Sequence, residues 1–419
     1  MAAELDWHRW LRPGDRIACS HMSSEPSTLL AALARHGPGF DLHLMLGVPF
    51  SGDIAAAPPD YRITTYGGMG SAAAIAARRA GVEISTLPYG RSAEVYASGS
   101  WPCDVALLSL ARAPDGRLYL GASHGPALAA ARRARCVIAE INAGAPCVEG
   151  GEWPHDLRID VAVEVDHAPA PHAGGEPGAI EHAIARHVAG RVRDGACLQV
   201  GIGSLPSALL AALASHRHLG IHTGTMGDGL LALWERGAVD HSRKRLDPGR
   251  AVVGAVHGSP ALYSHAHLNP LLQLREPAYT HSASVVAAQP DFVALNSALE
   301  VSLLGEANAE TVAEADGRWR HVGGVGGLPE FVRAAVEAPR GQSVIALASR
   351  TPRGRPRVVA RLSGPATLAA TDADLVVTEH GVACLRHASV AQRVRQMIAI
   401  AHPEDRDTLQ SQARTLGLA

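Results

Sequence analysis

Residues 25–36 read EPSTLLAALARH, and residues 205–216 read LPSALLAALASH. Nine of these twelve positions are identical, at an offset of 180 residues. In both places a short apolar stretch and a turn precede the motif, as DRIACSHMSS (15–24) and ACLQVGIGS (196–204), and a further strand-like stretch follows it, as DLHLML (41–46) and LGIHTGT (219–225). Alanine-rich helices resemble one another by chance, but the shared order of strand, turn, proline, helix and strand predicts an internal duplication.

Duplication predicts two similar halves, and the segment between them supports that division. Residues 166–179 read DHAPAPHAGGEPGA, and this Pro and Gly content is typical of a linker. Short apolar runs alternate with helical stretches on both sides of it, and most are continuous, as expected for strands buried on both faces. Examples are VALLSLA (105–111), CVIAEIN (136–142), FVALNSA (292–298), SVIALAS (343–349) and LVVTEHG (375–381).

These patterns together predict the fold class. We expect two related open α/β domains with mostly parallel sheets, over residues 1–170 and 180–419. In such sheets, ligands bind beyond the carboxyl ends of the strands. The cleft between the two domains is therefore the expected position of the active site.

Composition excludes several classes of protein. The 419 residues include 47% hydrophobic and 19% charged side chains, with a formal net charge of -2, so a disordered chain and a broad nucleic-acid-binding field are both excluded. No apolar run reaches the roughly 18 residues that cross a bilayer, and the N-terminal stretch has no signal-like apolar run. The six cysteines are scattered, which indicates reduced, mostly buried thiols in a cytoplasmic protein.

Two glycine-rich segments are candidate ligand loops. In LQVGIGSLPSALLAAL (198–213), Gly201 and Gly203 follow a strand and Pro206 suits the first turn of a helix, where free N–H groups attract anions such as phosphate. In HVGGVGGLPEF (321–331), four glycines precede a helix and can present N–H groups to an oxyanion. The alternatives are a structural turn for the first segment and a flexible hairpin tip for the second.

Two further segments bring titratable side chains to strand ends. GIHTGTMGDG (220–229) carries His222 and Asp228, and VVTEHGVA (376–383) carries Glu379 and His380. Glu379 can equally be a structural hydrogen-bond acceptor. We predict no metal site, because the HxH pair in YSHAH (263–267) has no third ligand at convincing spacing.

In combination these segments resemble the acetyl-CoA hydrolase/CoA-transferase family, and its 4-hydroxybutyrate CoA-transferase branch in particular. The C-terminal half carries the resemblance in QVGIGSLPSALL, LGIHTGTMGDGLLALWERGAVD, ALNSALEVSLLGEANAE, GVGGLPEFVRAA, DADLVVTEHGVACLR and IAHPEDRDTL. The N-terminal half carries it more loosely, in SSEPSTLLAAL, APDGRLYLGAS and CVIAEINAGAP.

The resemblance implies a fold of the CoA-transferase (NagB/RpiA-like) type, coenzyme A thioester chemistry and a homo-oligomer. It implies that acyl-CoA binds as a substrate together with a small-molecule acceptor, with no nucleic acid, membrane or metal involved. Catalytic positions would be His222, Glu379, His380 and Gly327. The substrate pocket would include Gly224, Thr225 and Asn296. Coenzyme A contacts would be Gly201, Ile202, Gly203, Ser204, Leu205, Leu299, Gly326 and Gly327.

One position departs sharply from the family pattern. In the family, a glutamate two residues after the histidine attacks the acyl-CoA to give a mixed anhydride, and released CoA then forms a glutamyl-CoA thioester. Here the residue two positions after His222 is Gly224, and no acidic residue lies between His222 and Asp228. Leu328, Ser302 and Ala370 also stand where the family has a glutamine, an acid and an arginine.

Three hypotheses follow from this departure. The first is direct acyl transfer from, or hydrolysis of, an acyl-CoA, with His222, Glu379 or His380 as the base, in specialised biosynthesis. The second is an ordinary CoA-transferase or acetyl-CoA hydrolase whose nucleophile has moved to Glu379 or Glu300. The third is a non-catalytic acyl-CoA-binding protein. We expect the first, because a nucleophile displaced by an ångström or more is costly.

Overall fold

The chain forms two compact units. A computed structural model describes residues 5–67, 69–171 and 175–418. The first unit comprises Met1–Ala173 and Val252–Thr280, and the second comprises Gly174–Ala251 and His281–Ala419. The predicted linker, residues 166–179, has no helix or strand before Ala179 in its described part, and its residues 172–174 lie outside the described residues.

The described residues contain strands and helices in alternation. The strands are β1 (Arg16–Cys19), β2 (Leu42–Gly47), β3 (Tyr61–Thr65), β4 (Val82–Ile84), β5 (Val105–Arg112), β6 (Leu118–Tyr119), β7 (Cys136–Asn142), β8 (Val161–Val165), β9 (Cys197–Val200), β10 (Gly220–Met226), β11 (Ala251–Val256), β12 (Leu272–Leu274), β13 (Phe292–Ser297), β14 (Glu300–Ser302), β15 (Ala307–Asn308), β16 (Thr311–Ala313), β17 (Trp319–His321), β18 (Gln342–Ala346), β19 (Val358–Val359), β20 (Leu375–Thr378) and β21 (Gly381–Cys384).

The helices are mostly short. They are α1 (Trp7–Trp10), α2 (Ser27–His36), α3 (Ala72–Arg78), α4 (Ser92–Ala97), α5 (Ala127–Arg133), α6 (Ala179–Ala189), α7 (Ser204–Ala212), α8 (Asp228–Glu235), α9 (Pro260–Ala266), α10 (Pro277–Thr280), α11 (Ala283–Ala287), α12 (Leu328–Glu337), α13 (Val390–Ile400) and α14 (Arg406–Thr415), with 3-10 turns at Met22–Ser24, Asp53–Ala56, Tyr89–Arg91, Ala370–Asp372 and Pro403–Asp405. None of these helices is long and apolar enough to cross a membrane.

The first unit is built on a parallel sheet. Its strand order is β4-β3-β2-β1-β5-β7-β8, and only the short β6, which pairs with β5, is antiparallel. The sequence predicts β5 and β7 well because their residues are apolar on both faces: all seven residues of β7 are buried. The largest core cluster of this unit lies between α2 and the sheet, around Leu29, Leu33 and Leu44.

The second unit repeats the arrangement of the first. In its main sheet the strands β10-β9-β13-β18-β20-β21 lie in this order, and β21 is antiparallel to β20, while β15-β14-β19 and β16-β17 form two small separate sheets. The order β10-β9-β13-β18-β20 matches β2-β1-β5-β7-β8, with α7 after β9 as α2 follows β1. The predicted α/β class with mostly parallel sheets is confirmed, and the topology supports duplication.

Two details differ from the sequence-based expectation. The predicted strand 375–381 ends at Thr378, turns at Glu379 and His380, and returns as β21. The predicted range 180–419 also includes the segment Val252–Thr280, which packs in the first unit. There the N–H of His124 donates to the carbonyl of Gly254 (3.0 Å), and the N–H of Val256 donates to the carbonyl of Ala122 (2.7 Å). Periodicity within the segment cannot predict such long-range pairing.

Candidate active site

The loop after β9 presents open backbone at the carboxyl end of the second sheet. Gly203 has φ +125° and ψ −178°, a conformation that is almost exclusive to glycine, and it caps α7. A Cβ added at Gly201 or Gly203 would meet nothing closer than the Pro206 ring at 3.9 Å, and Ile202 is 39% exposed. The first N–H groups of α7 have no partner within the helix, so this loop suits an anionic ligand group.

The histidine of β10 lies in the core. His222 has no exposed surface, and its ring packs edge-on against Phe292 with 6.2 Å between ring centroids. Alternate residues of a strand point to the same face, so the ring is on the same side of the sheet as the missing side chain of Gly224. This burial favours a packing role for His222 over the role of base that the sequence suggested.

A different histidine covers Gly224. A Cβ built on Gly224 would lie 3.2 Å from both Cε1 and Nε2 of His281 and 3.6 Å from Cε2 of Phe331. A Cβ built on Gly327 would overlap the His281 ring. The rings of His281 and Phe331 are 4.5 Å apart, centre to centre. The imidazole therefore lies against two glycines, one near the end of β10 and one at the start of α12.

The glycine-rich loop before α12 has two distinct parts. At its start, a Cβ on Gly323 would overlap the carbonyl of Ala309, and the N–H of Gly323 donates to the carbonyl of Glu310 (3.0 Å), so this glycine fits the loop to the neighbouring backbone. At its end, Gly326 has φ +55° and Gly327 caps α12. The N–H groups that can receive an oxyanion are therefore those at the start of α12.

Glu379 follows the carboxyl end of β20, at the same edge of the sheet as the end of β10, the strand that carries Gly224. Four strand-to-strand steps separate β10 from β20, which corresponds to about 19 Å at the usual spacing. The Glu379 carboxylate accepts hydrogen bonds from the N–H (2.9 Å) and hydroxyl (2.6 Å) of Ser349. Burial raises the pKa of Glu379, but these hydrogen bonds outweigh it and hold the pKa below its usual value. Glu379 is thus a fixed anion.

His380 belongs to the same end of the sheet as Glu379. Its Nε2 lies 3.6 Å from Oε1 of Glu379, and its ring packs edge-on against His402 at 5.6 Å. Burial lowers the pKa of His380, although the Glu379 carboxylate acts in the opposite direction. The imidazole is therefore neutral at neutral pH.

The other predicted ligand residues are held by polar pairs. Asn296 and Gln199 exchange two amide hydrogen bonds of 3.0 and 3.2 Å between β13 and β9. The Arg357 guanidinium donates to the carbonyls of Ala298 and Leu299, both at 2.7 Å, and so fixes the backbone at Leu299. Thr225 is half-buried beside Gly224.

The three other residues that the resemblance suggested as departures from the family pattern are integrated in the fold. Leu328 is a buried member of the second unit's core, and the Ser302 hydroxyl donates to Glu306 at 3.0 Å. The carbonyl of Ala370 accepts from the Arg393 guanidinium at 2.7 Å. Sequence reasoning missed His281, since it is one histidine among 22 and lies 57 positions beyond Gly224. In a sequence, two glycines indicate room for a neighbouring group, but they do not identify the side chain that occupies it.

Comparison with known proteins establishes the family. A family model described as the acetyl-CoA hydrolase/transferase C-terminal domain matches residues 258–413. The 4-hydroxybutyrate coenzyme A transferase of Clostridium kluyveri is 33% identical over 316 residues, which are 74% of this chain and 72% of that protein. The chain belongs to the acetyl-CoA hydrolase/CoA-transferase family.

Solved structures agree with this membership. The CoA-transferase-family chain superposes on the crystal structure of RipA from Yersinia pestis with a TM-score of 0.88 and 26% identity, covering 98% of this chain and 96% of that one. A 4-hydroxybutyrate CoA-transferase from Porphyromonas gingivalis gives a TM-score of 0.82 and 28% identity, covering 99% and 97%. This family member is thus an acyl-CoA-using transferase or hydrolase.

Proposed function

We propose that this family member transfers the acyl group of an acyl-CoA directly to an alcohol, an amine or water, without a glutamyl-CoA intermediate. The proposal assigns Gly224 to the family's nucleophile position, and one observation supports it: the three atoms nearest to a Cβ at Gly224 belong to His281 and Phe331, and none belongs to a carboxylate. Glycine has no side chain that could form an anhydride with the acyl group.

Relocation of the nucleophile has little support. Glu379 follows β20, which is four strand spacings or roughly 19 Å from β10, and its carboxylate is held by Ser349. Glu300 accepts hydrogen bonds from Asn308 (3.0 Å) and from the N–H and hydroxyl of Ser363 (both 2.8 Å), so its carboxylate is also engaged. A carboxylate in either place would require a different position for the thioester.

The proposed reaction uses the two glycine loops in separate roles. The loop Gly201–Leu205 binds the anionic part of coenzyme A through backbone N–H groups at the start of α7. The N–H groups of Gly327 and of the start of α12 receive the carbonyl oxygen of the thioester as negative charge develops on it. The acceptor then attacks the carbonyl carbon, and the CoA thiolate leaves.

The test is release of free thiol from a panel of acyl-CoAs. Each acyl-CoA is incubated with water alone, with a carboxylate, or with a mixture of amines and alcohols. We expect thiol release with an amine, an alcohol or water, because each of these exchanges frees CoA. The carboxylate lane is read by product mass, since exchange there conserves the thioester. Turnover in that lane alone would overturn the proposal and support a relocated nucleophile, whereas CoA binding without any turnover would support a binding protein.

A variant series tests the same point from the other side. Gly224→Glu alone is expected to stay inactive in carboxylate exchange, because its Cβ would lie 3.2 Å from the His281 ring and its carboxylate would have to displace that ring. Gly224→Glu combined with His281→Gly removes this obstacle. We expect only the double variant to form a glutamyl-CoA adduct, detected as a mass increase of the intact protein.

A further inference from the structure

His281 lies where the chemistry of the proposed reaction needs a proton acceptor. It is 6% exposed, and its Nε2 is 3.2 Å from the position that a Cβ on Gly224 would occupy. The same ring touches Gly327, the residue that caps α12. A titratable nitrogen and the N–H groups of a helix start are thus neighbours at the position from which a nucleophilic side chain is absent.

We propose that His281 is the general base of direct acyl transfer in this protein. This inference rests on the proposed function and deepens it. An imidazole nitrogen of His281 takes the proton from the acceptor X–H while X attacks the carbonyl carbon of the thioester. The C–S bond then breaks, and the imidazolium returns the proton to the departing sulfur. In sum, acyl-S-CoA and X–H give acyl-X and CoA-SH.

The geometry favours His281 over the other histidines of the second unit that the sequence suggested. His222 has no exposed surface and packs against Phe292. His380 lies beside Glu379 after β20, a strand that is four spacings or roughly 19 Å from the strand that carries Gly224. Of these three, only His281 lies against both glycines, so only it can reach a carbonyl group whose oxygen is held at the start of α12.

The His281 ring can occupy its position because residues 224 and 327 are both glycines. At Gly327 any Cβ would overlap the ring, and at Gly224 a Cβ would be closer to the ring than ordinary van der Waals contact. The loss of the glutamate and the presence of the imidazole are therefore one change in the site. A carboxylate nucleophile has been exchanged for a base that activates the acceptor.

The decisive experiment compares His281→Asn and His281→Gly with the wild type. The acyl-CoA and acceptor are those that give the fastest thiol release in the panel. General base catalysis contributes about 10²–10⁴-fold, so we expect a loss of that size in kcat for both variants, with CoA affinity within threefold of wild type. Added imidazole should restore part of the activity of His281→Gly, because it can enter the vacated space. His187→Asn, an exposed histidine of the same unit, is the matched control.

Each outcome decides the matter. Loss of kcat with retained CoA binding and imidazole rescue supports the base. Activity of His281→Asn within threefold of wild type would overturn this inference and leave direct transfer standing. Loss of CoA binding in both variants, or loss of activity without rescue, would make His281 a structural residue. If the wild type itself releases no thiol and exchanges only carboxylates, the proposed function fails instead.

Discussion

The two copies of the repeated motif have the same path but opposite surroundings. For this comparison each copy is taken as the turn that leads into its helix. The first copy is HMSSEPS (21–27), which connects β1 to the start of α2, and the second copy is GIGSLPS (201–207), which connects β9 to the first turn of α7. In the first copy the four residues from Ser23 to Pro26 are buried, and His21 is only 1% exposed. In the second copy, Gly201 and Ile202 are exposed.

Hydrogen bonds explain why the first copy is closed. The Ser24 hydroxyl donates to the carbonyl of Leu120 (2.7 Å) and accepts from the N–H of Ser123 (2.8 Å). The Glu25 carboxylate accepts from the N–H groups of Phe50 (3.2 Å) and Ser51 (2.6 Å). Side chains of the first copy thus bond to their own unit.

The second copy keeps a serine, Ser204, at the position of Ser24, but has glycine or leucine at three other polar positions of the first copy. At the offset of 180, His21, Ser23 and Glu25 correspond to Gly201, Gly203 and Leu205. The backbone path is retained without the polar side chains that close the loop. The comparison shows that the same turn is closed where its polar side chains bond to the fold and open where glycine replaces two of them, and the open turn is the one proposed to bind a ligand.

The largest predicted effect is on the pH dependence of the free energy of unfolding, and it comes from Glu25 in the closed first copy. Burial raises the pKa of Glu25 from 4.5 to about 7, although the N–H groups of Ser51 and Phe50 oppose this. Below pH 4.5 the carboxyl is protonated in both states. As the pH rises from 4.5 to 7 the unfolded chain ionises first, so the free energy of unfolding falls by about 3 kcal/mol. We expect Glu25→Gln to remove this fall.

The measurement is the free energy of unfolding from urea titrations at pH 4 and pH 8. Relative to wild type, Glu25→Gln should gain about 3 kcal/mol between the two pH values, because the glutamine cannot ionise. Glu235→Gln, the same substitution at an exposed position of the chain, is the control. A constant difference between Glu25→Gln and wild type would contradict the prediction, because it would mean that the pKa of Glu25 is the same in the folded and unfolded chains.

The second prediction concerns CoA binding by the open second copy. Gly203→Ala places a side chain at φ +125°, which costs about 1–3 kcal/mol, so the loop should shift. We expect CoA affinity to fall at least tenfold in a titration calorimetry experiment, since about 1.4 kcal/mol corresponds to tenfold. Gly237→Ala, at φ +73° with nothing within 4 Å of its Cβ, carries backbone strain outside the loop. Equal affinity in the two variants would argue against Gly201–Leu205 as the CoA loop.

The same contrast shows which features of the fold and of the site could be predicted from the sequence. The repeat and the buried runs predict β5, β7 and the α/β class with mostly parallel sheets, because continuous apolar residues and a duplicated motif are local signals. The loop glycines were predictable as candidates for the same reason. The position of His281 over Gly224 depends on how α12 and the chain after Thr280 pack, and no local pattern encodes that. The segment Val252–Thr280 joins the first unit through equally distant pairings.

The smallest predicted effects come from a matched pair, Ser24→Ala and Ser204→Ala, which occupy the same position of the two copies. Ser24→Ala leaves a buried carbonyl and a buried N–H without the hydroxyl, so it should cost roughly 1–2 kcal/mol in the free energy of unfolding. Ser204 is half-buried at the start of α7, where water can replace its hydroxyl, so Ser204→Ala should cost less than about 0.5 kcal/mol. Urea titrations of the two variants measure the difference. Equal costs would mean that the second copy is closed by its own side chains like the first, and the open loop would then need another explanation.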